Sequence, residues 1–260
     1  ADKFKTNLLT GAMNRYKRNY KRNTVNTYLN RLSLMFDEAM KRGNLTHKRM
    51  NVFKEVGEWK VEKIIKPYIN TQEYKQLNEN MCVCKPIARA FKFSILTGLR
   101  TGDIMALRWK DIQRDVKGWH TYINMQKTAD PIRVALTDEH FKLMGERGHD
   151  NEVIFDYTMS NLEYTYFYTW IKATFGESKE VGETNNGIVF HSGRASFITN
   201  MLMRGTPAVR VQTYVGHADL KTTLSYYRGS TEMQEVDMNA YIDEIRGETG
   251  VLRAKQILSE

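Results

Sequence analysis

Apolar positions along the chain fall into runs with two different periods. From Val25 they recur at Tyr28, Leu29, Leu32, Met35, Phe36, Ala39 and Met40, a helical spacing, with Thr24 able to cap the start and Gly43 to end it. Residues 57–70 lose that periodicity and contain Pro67, which reads as a linker. A helix is predicted after Thr71, and another from about Lys85 to Thr97, closed by Gly98. The second is apolar on most sides, at Ile87, Ala90, Phe91, Ile95 and Leu96, so it is expected to be buried. Gly118–Gln126 and Pro131–Thr137 alternate with period two around a short polar turn holding Lys127, the pattern of a β-hairpin.

Helical signals then return. Thr137 opens a helix ending near Gly145, and Ser160 with Glu163 forms a capping box ahead of Leu162, Phe167, Trp170 and Ile171. The aromatic run Tyr164, Tyr166, Phe167, Tyr168, Trp170 fits core packing better than base stacking. A helix over 192–204 stops at Gly205. Thr206-Pro207, an N-cap followed by Pro at the first helical position, starts a short helix to Tyr214 that breaks at Gly216. Residues 231–260 form a last amphipathic stretch and a Gly-broken tail. The fold class is therefore mainly α with a small antiparallel β-sheet. The expected organisation is a basic helical domain over 1–66, a larger domain over 67–230 and a C-terminal tail over 231–260.

Charge sharpens that division. The 260-residue chain carries a net charge of +9, but residues 1–66 hold 16 Lys and Arg against 6 Asp and Glu, while the remainder is nearly neutral. A basic segment ahead of a neutral domain favours a polyanionic partner, nucleic acid or an anionic membrane surface. Within it, Lys17, Arg18, Lys21 and Arg22 interleave with Tyr16 and Tyr20, and Lys41 and Arg42 follow at the end of the first long helix. These six are the candidate DNA-binding residues. No run of apolar residues approaches the ~20 needed to cross a bilayer. Cys82 and Cys84 are too close for an ordinary disulfide and lack a neighbouring His, so they read as reduced packing thiols of an intracellular protein.

The chemistry concentrates between His191 and Tyr227. This stretch holds a His-x-x-Arg pair (His191, Arg194), a Gly-His pair (Gly216, His217), and Tyr226 nine residues after the second His. Two His and an Arg can grip a phosphodiester, and a phenol can attack it. Such a site needs a second Arg and a proton donor for the leaving oxygen. No His/Cys/Asp group has metal spacing and no glycine-rich loop fits a nucleotide, so the expected chemistry uses neither a metal nor another cofactor.

A second stretch, TGLRTGDIMALRWKDI from Thr97 to Ile112, carries Arg100 and Asp103. Together the two stretches resemble the tyrosine recombinase (phage integrase) family, over roughly Tyr68 to Arg228. The resemblance implies an active site of Arg100, Lys127, His191, Arg194, His217 and Tyr226, with Tyr226 as nucleophile and Asp103 in support. It implies that a mobile hairpin delivers Lys127 as general acid, and that the basic first domain clamps DNA. Gly193 stands where the family usually has a Leu, and Ala195 where it often has a second His.

The implied function is a metal-independent, site-specific recombinase or integrase of a mobile element, working through a 3′-phosphotyrosine. Its partner would be double-stranded DNA, bound as a homotetramer on two sites by a protein that is a monomer in free solution, with room for a DNA-bending accessory protein. No membrane partner is implied, and the setting would be the cytoplasm of a bacterium or a phage host. Relatives with the same chemistry, a type IB topoisomerase or a telomere-resolving enzyme, are the alternative. A DNA-binding accessory protein without catalysis is the alternative of another class. The start at Ala1 leaves room for a longer parent with a further N-terminal DNA-binding domain.

Overall fold

In the computed structural model, residues 2–10, 12, 19–43, 50–60, 66–124, 131–176 and 187–227 are described. Lys17, Arg18, Lys127 and the tail 231–260 lie outside them. The chain divides into two units, Ala1–Ile64 and Ile65–Glu260.

The first unit contains α1 (Asp2–Leu9), α2 (Arg22–Lys41) and α3 (Val52–Glu55). Among its described residues the buried apolar cluster is Leu8, Val25 and Leu29, flanked by Phe4, Leu9, Tyr20, Phe53 and Trp59. Two buried asparagines bind the unit together. Asn26 clasps the backbone of Trp59, donating to its carbonyl at 2.9 Å and accepting from its N–H at 3.1 Å. Asn51 donates to the Ser33 carbonyl and to Asp37 while capping α3 at Phe53 N–H. The helix start differs from the sequence expectation. The N-cap is Lys21, whose carbonyl already accepts from Val25 N–H, so Thr24 lies inside the first turn.

In the second unit, α4 (Thr71–Glu79) starts from an Asn70–Glu73 capping box, and α5 (Lys85–Thr97) ends at Gly98, whose φ of 71° makes the left-handed turn. Helix α6 (Thr101–Ala106) and a 3-10 turn (Trp109–Asp111) lead to an antiparallel sheet of β1 (Ile112–Asp115), β2 (Gly118–Ile123) and β3 (Ile132–Ala135), in that spatial order. The register sets Thr121 of β2 opposite Ile112 of β1 and Val134 of β3. Strand β1 has no signature in the hydrophobic pattern, because only Ile112 of its four residues is buried. Five helices follow: α7 (Asp138–Met144), α8 (Asn161–Phe175), α9 (Ser192–Met203), α10 (Ala208–Val215) and α11 (Leu220–Leu224). The N-cap of α10 is Pro207, one residue later than Thr206. The architecture is mainly α with a small antiparallel sheet.

The core of this unit forms where α9 crosses α5. Phe91 sits edge-on to Phe167 at 4.9 Å and to Phe190 at 5.7 Å. Gly193 makes the close crossing: a Cβ there would stand 2.8 Å from Ser94 Cβ and 3.2 Å from the Phe91 carbonyl. The larger side chain that the family resemblance leads one to expect at 193 would collide with α5, so the departure has a local packing reason. Phe167, Trp170, Ile171 and Phe175 of α8 are buried in the same core. Cys82 and Cys84 are both free thiols.

Candidate active site

Gly98 sends the chain back over the end of α5, with Leu99 buried and Arg100 at the N-cap of α6. The Arg100 backbone N–H donates to Asp103 Oδ2 at 3.3 Å, so Asp103 fixes the turn from which the Arg100 side chain leaves. A Cβ on Gly98 would lie 2.5 Å from Phe197 Cδ1, which, with its positive φ, excludes a larger residue there.

Arg194 is the centre of the arrangement. It is 2% exposed, with Nη1 donating to the Gly98 carbonyl and Nη2 to the Val215 carbonyl, each at 2.7 Å. One guanidinium thus ties together the ends of α5 and α10, the two turns that launch Arg100 and His217. A guanidinium has five N–H donors, so others remain for an anion. Burial, then the charge of Arg100, lowers the pKa of Arg194 to about 10, while Tyr226 and Asp103 act the other way. It stays charged at neutral pH.

His217 follows Gly216, which is left-handed at φ 61°. Its Nδ1 lies 2.9 Å from the hydroxyl of buried Thr223. When that hydroxyl donates, the ring proton sits on Nε2, where it can be given to an anion. Burial first, then Arg194, Arg100, Lys66 and His191, pull the pKa of His217 down to about 4, so the ring is neutral. His191, the N-cap of α9, is open to solvent, yet the protein around its ring still disfavours the charged form. Arg194, Lys66 and Arg100 lower its pKa further.

Tyr226 lies in the turn after α11 and is 4% exposed, packed in a cluster with Ala195, Ile198, Leu202, Val211 and Val215. Its ring stacks on His217 with centroids 6.1 Å apart and planes 17° apart. Tyr227 beside it is 46% exposed. The structure therefore brings Arg100, Asp103, His191, Arg194, His217 and Tyr226 to one locality, while Lys127 lies outside the described residues. Sequence reasoning missed two members. Thr223 carries no motif of its own. Lys66 stands with its ammonium 4.0 Å from the Tyr226 ring centroid, and only the following Pro67 could have hinted that its backbone is fixed.

Residues 67–233 match the model of the phage integrase family. The chain belongs to that family, the tyrosine recombinases. The ICEBs1 integrase of Bacillus subtilis is 24% identical over 85% of this chain and 66% of its own length. A probable integrase/recombinase protein of Methanocaldococcus jannaschii is 26% identical over 54% of this chain and 45% of its own length. The chain thus spans less than two thirds of these relatives. Among solved structures, the Tn1549 transposon integrase in complex with circular intermediate DNA superposes with a TM-score of 0.59 at 18% identity, covering 90% of this chain and 84% of the other. A lambda integrase dimer bound to a COC′ core site gives a TM-score of 0.60 at 17% identity, covering 87% and 79%. These two likenesses establish a shared tyrosine recombinase fold.

The candidate DNA-binding residues are less concentrated. Lys21, Arg22, Lys41 and Arg42 are all exposed, at opposite ends of α2. A 20-residue helix is ~30 Å long, so they do not form one patch. Arg42 is also engaged by Glu38 at 2.8 Å. Among the described residues no helix is long and apolar enough to cross a membrane.

Proposed function

We propose that this chain cleaves and rejoins double-stranded DNA at specific sites through a 3′-phosphotyrosine, and serves the integration or excision of a mobile element. The observation that carries the reading is the convergence of Arg100, Arg194 and neutral His217 on the buried Tyr226 ring. Two guanidinium groups and an imidazole N–H suit the non-bridging oxygens of a phosphodiester, where charge grows in the transition state. The Tyr226 Oη attacks phosphorus and gives its proton to a neighbouring base, for which His191 is suited by its neutrality. The bond from phosphorus to the 5′ oxygen breaks, and that oxygen takes a proton from Lys127. The products are a 3′-phosphotyrosyl enzyme and a free 5′-hydroxyl. Attack by a different 5′-hydroxyl reverses the step and joins new strands, so no nucleotide is consumed.

The basic first unit, with Lys17, Arg18, Lys21, Arg22, Lys41 and Arg42, is assigned to the DNA backbone as a clamp. The working assembly is a tetramer on two sites, with residues 231–260 docking on the neighbouring protomer. The mobile-element setting and the bacterial cytoplasm rest on the names of the similar integrases. The test is covalent capture: the chain is incubated with nicked duplexes of randomised sequence, and the DNA attached to denatured protein is sequenced. The reading predicts a trapped consensus linked through Tyr226. A relaxing enzyme of the topoisomerase type would act on one duplex without exchange between two sites, and an accessory protein would trap nothing.

A further inference from the structure

We propose that Lys66 is a positioning residue of this site, its ammonium holding the Tyr226 ring from the start of the second unit; this rests on Tyr226 being the nucleophile. Lys66 is exposed, and a lysine so placed ordinarily keeps its head in water. Here Nζ lies 4.0 Å from the ring centroid, within cation–π range. The contact is built into the backbone. Pro67 restricts Lys66 to extended conformations. Two residues further on, Ile69 is fully buried. Its N–H donates to Ser196 Oγ at 2.7 Å, and its carbonyl accepts from Asn200 Nδ2 at 2.9 Å. Ser196 and Asn200 lie on α9, the helix that carries Arg194. Lys66 therefore rides on the same helix as the central arginine.

Its position has a further consequence. Lys66 is the second residue of the second unit. Loss of the ammonium from the Tyr226 ring would change the charge felt by the two histidines. His217 is faced by Arg194, Arg100, Lys66 and His191, with the Thr223 hydroxyl at Nδ1 and the Tyr226 ring alongside. His191 is faced by Arg194, Lys66 and Arg100. Lysine is thus the one cation of this set that comes from outside the two family motif stretches.

The test uses the full chain as wild type, Lys66→Met and Lys66→Arg. On a nicked duplex recovered by covalent capture, Lys66→Met should slow single-turnover adduct formation ~10-fold or more at saturating DNA, as expected for a displaced reacting group, with a much smaller change in Kd. Lys66→Arg should restore most of the rate. A rate equal to wild type at saturating DNA, with only the Kd weakened, would overturn the proposal and leave Lys66 an ordinary phosphate contact. Without DNA, the imidazole of His217 followed by NMR should titrate at higher pH in Lys66→Met than in wild type. An unchanged titration would show that the ammonium does not sit at the site in solution. If wild type captures no duplex, the recombinase reading fails, and the NMR titration still decides whether Lys66 occupies the site.

Discussion

The two units of this chain are held together by different means, and the difference matches what each is assigned to do. In the second unit, α5 and α9 meet through Phe91, Ser94 and Gly193, and aromatic rings fill the space around them. Arg100 and His217 follow two turns that the Arg194 guanidinium ties together. Among the described residues of the first unit the buried apolar cluster is Leu8, Val25 and Leu29, and asparagine side chains bridge the segments. Leu34, Met35 and Met50 remain exposed there. In the proposed function, chemistry that needs close placement falls to the close-packed second unit, and charge that needs only proximity to phosphates falls to the first. Damage to the first kind of region should appear as lost reaction or lost folding, and damage to the second as weaker, more salt-sensitive binding.

The sharpest break is Tyr226→Phe. It removes the attacking oxygen while keeping the ring that stacks on His217. Covalent adduct should fall to background with DNA binding intact, whereas exposed Tyr227→Phe should still form it. Adduct from Tyr226→Phe, read on a denaturing gel, would move the nucleophile elsewhere.

Next in size is Arg194→Ala. Two backbone carbonyls inside the frame would lose their donors, each costing about 1–3 kcal/mol, so urea unfolding should show a loss of about 3 kcal/mol or more along with the activity. Arg194→Lys should also fail, since one ammonium replaces a rigid fork that spans two helix ends. If Arg194→Ala were fully stable, the strut role would be wrong and the residue would act on substrate alone.

In the first unit, Lys21, Arg22, Lys41 and Arg42 can be changed together to Gln. Folding should be unaffected and single-turnover cleavage at saturating DNA unchanged. The dependence of log affinity on log salt should become shallower by up to ~0.9 for each phosphate that these side chains had neutralised. Arg42 should contribute least, because Glu38 already engages it. A slope equal to wild type would take the clamp away from α2.

Gly193→Ala probes the frame from the other side. The added methyl meets Ser94 and the Phe91 carbonyl, so α5 and α9 must separate, at a cost of about 1–3 kcal/mol. Ala at Gly43, where a Cβ would meet no described residue beyond its chain neighbours within 4 Å, tests mainly the strain of its φ of 71°. The pair separates packing from backbone strain in the two units.

What the sequence disclosed divides by the range of the interactions, in both units. The buried helix 85–97, the capping box at Ser160 and the turn at Gly216 were legible because local rules dictate them. Arg100, Arg194, His217 and Tyr226 were marked by motif spacing. Asn26 and Asn51 were not legible, since a buried polar residue looks exposed until its partner is known. Nor was Lys66, whose role depends on Ile69 docking on α9, a contact across 127 residues of chain. Strand β1, with three of four residues exposed, had no period to read.

The smallest effect is a pH dependence that should distinguish the units in folding alone. His217 has its pKa lowered to about 4 by burial and then by its cationic neighbours, and His191 and His140 are lowered as well, all in the second unit. An unfolded histidine titrates near 6.5, so between ~6.5 and ~4 the unfolded chain binds more protons than the folded one. Stability then rises with pH through that window and is lost as pH falls through it. In the first unit, Lys54 and Asn51 lower the carboxyl of Asp37, so its contribution is present above the ordinary carboxylate pKa and goes only at more acid pH. Urea midpoints by circular dichroism at pH 7, 5.5 and 4.5 should therefore fall. His217→Gln should flatten the fall in part, since His191 and His140 remain. Inorganic phosphate should flatten it too, because an anion beside the ring restores the charged form. A fall as steep in His217→Gln as in wild type would mean that the ring is not held neutral by burial and its cationic neighbours.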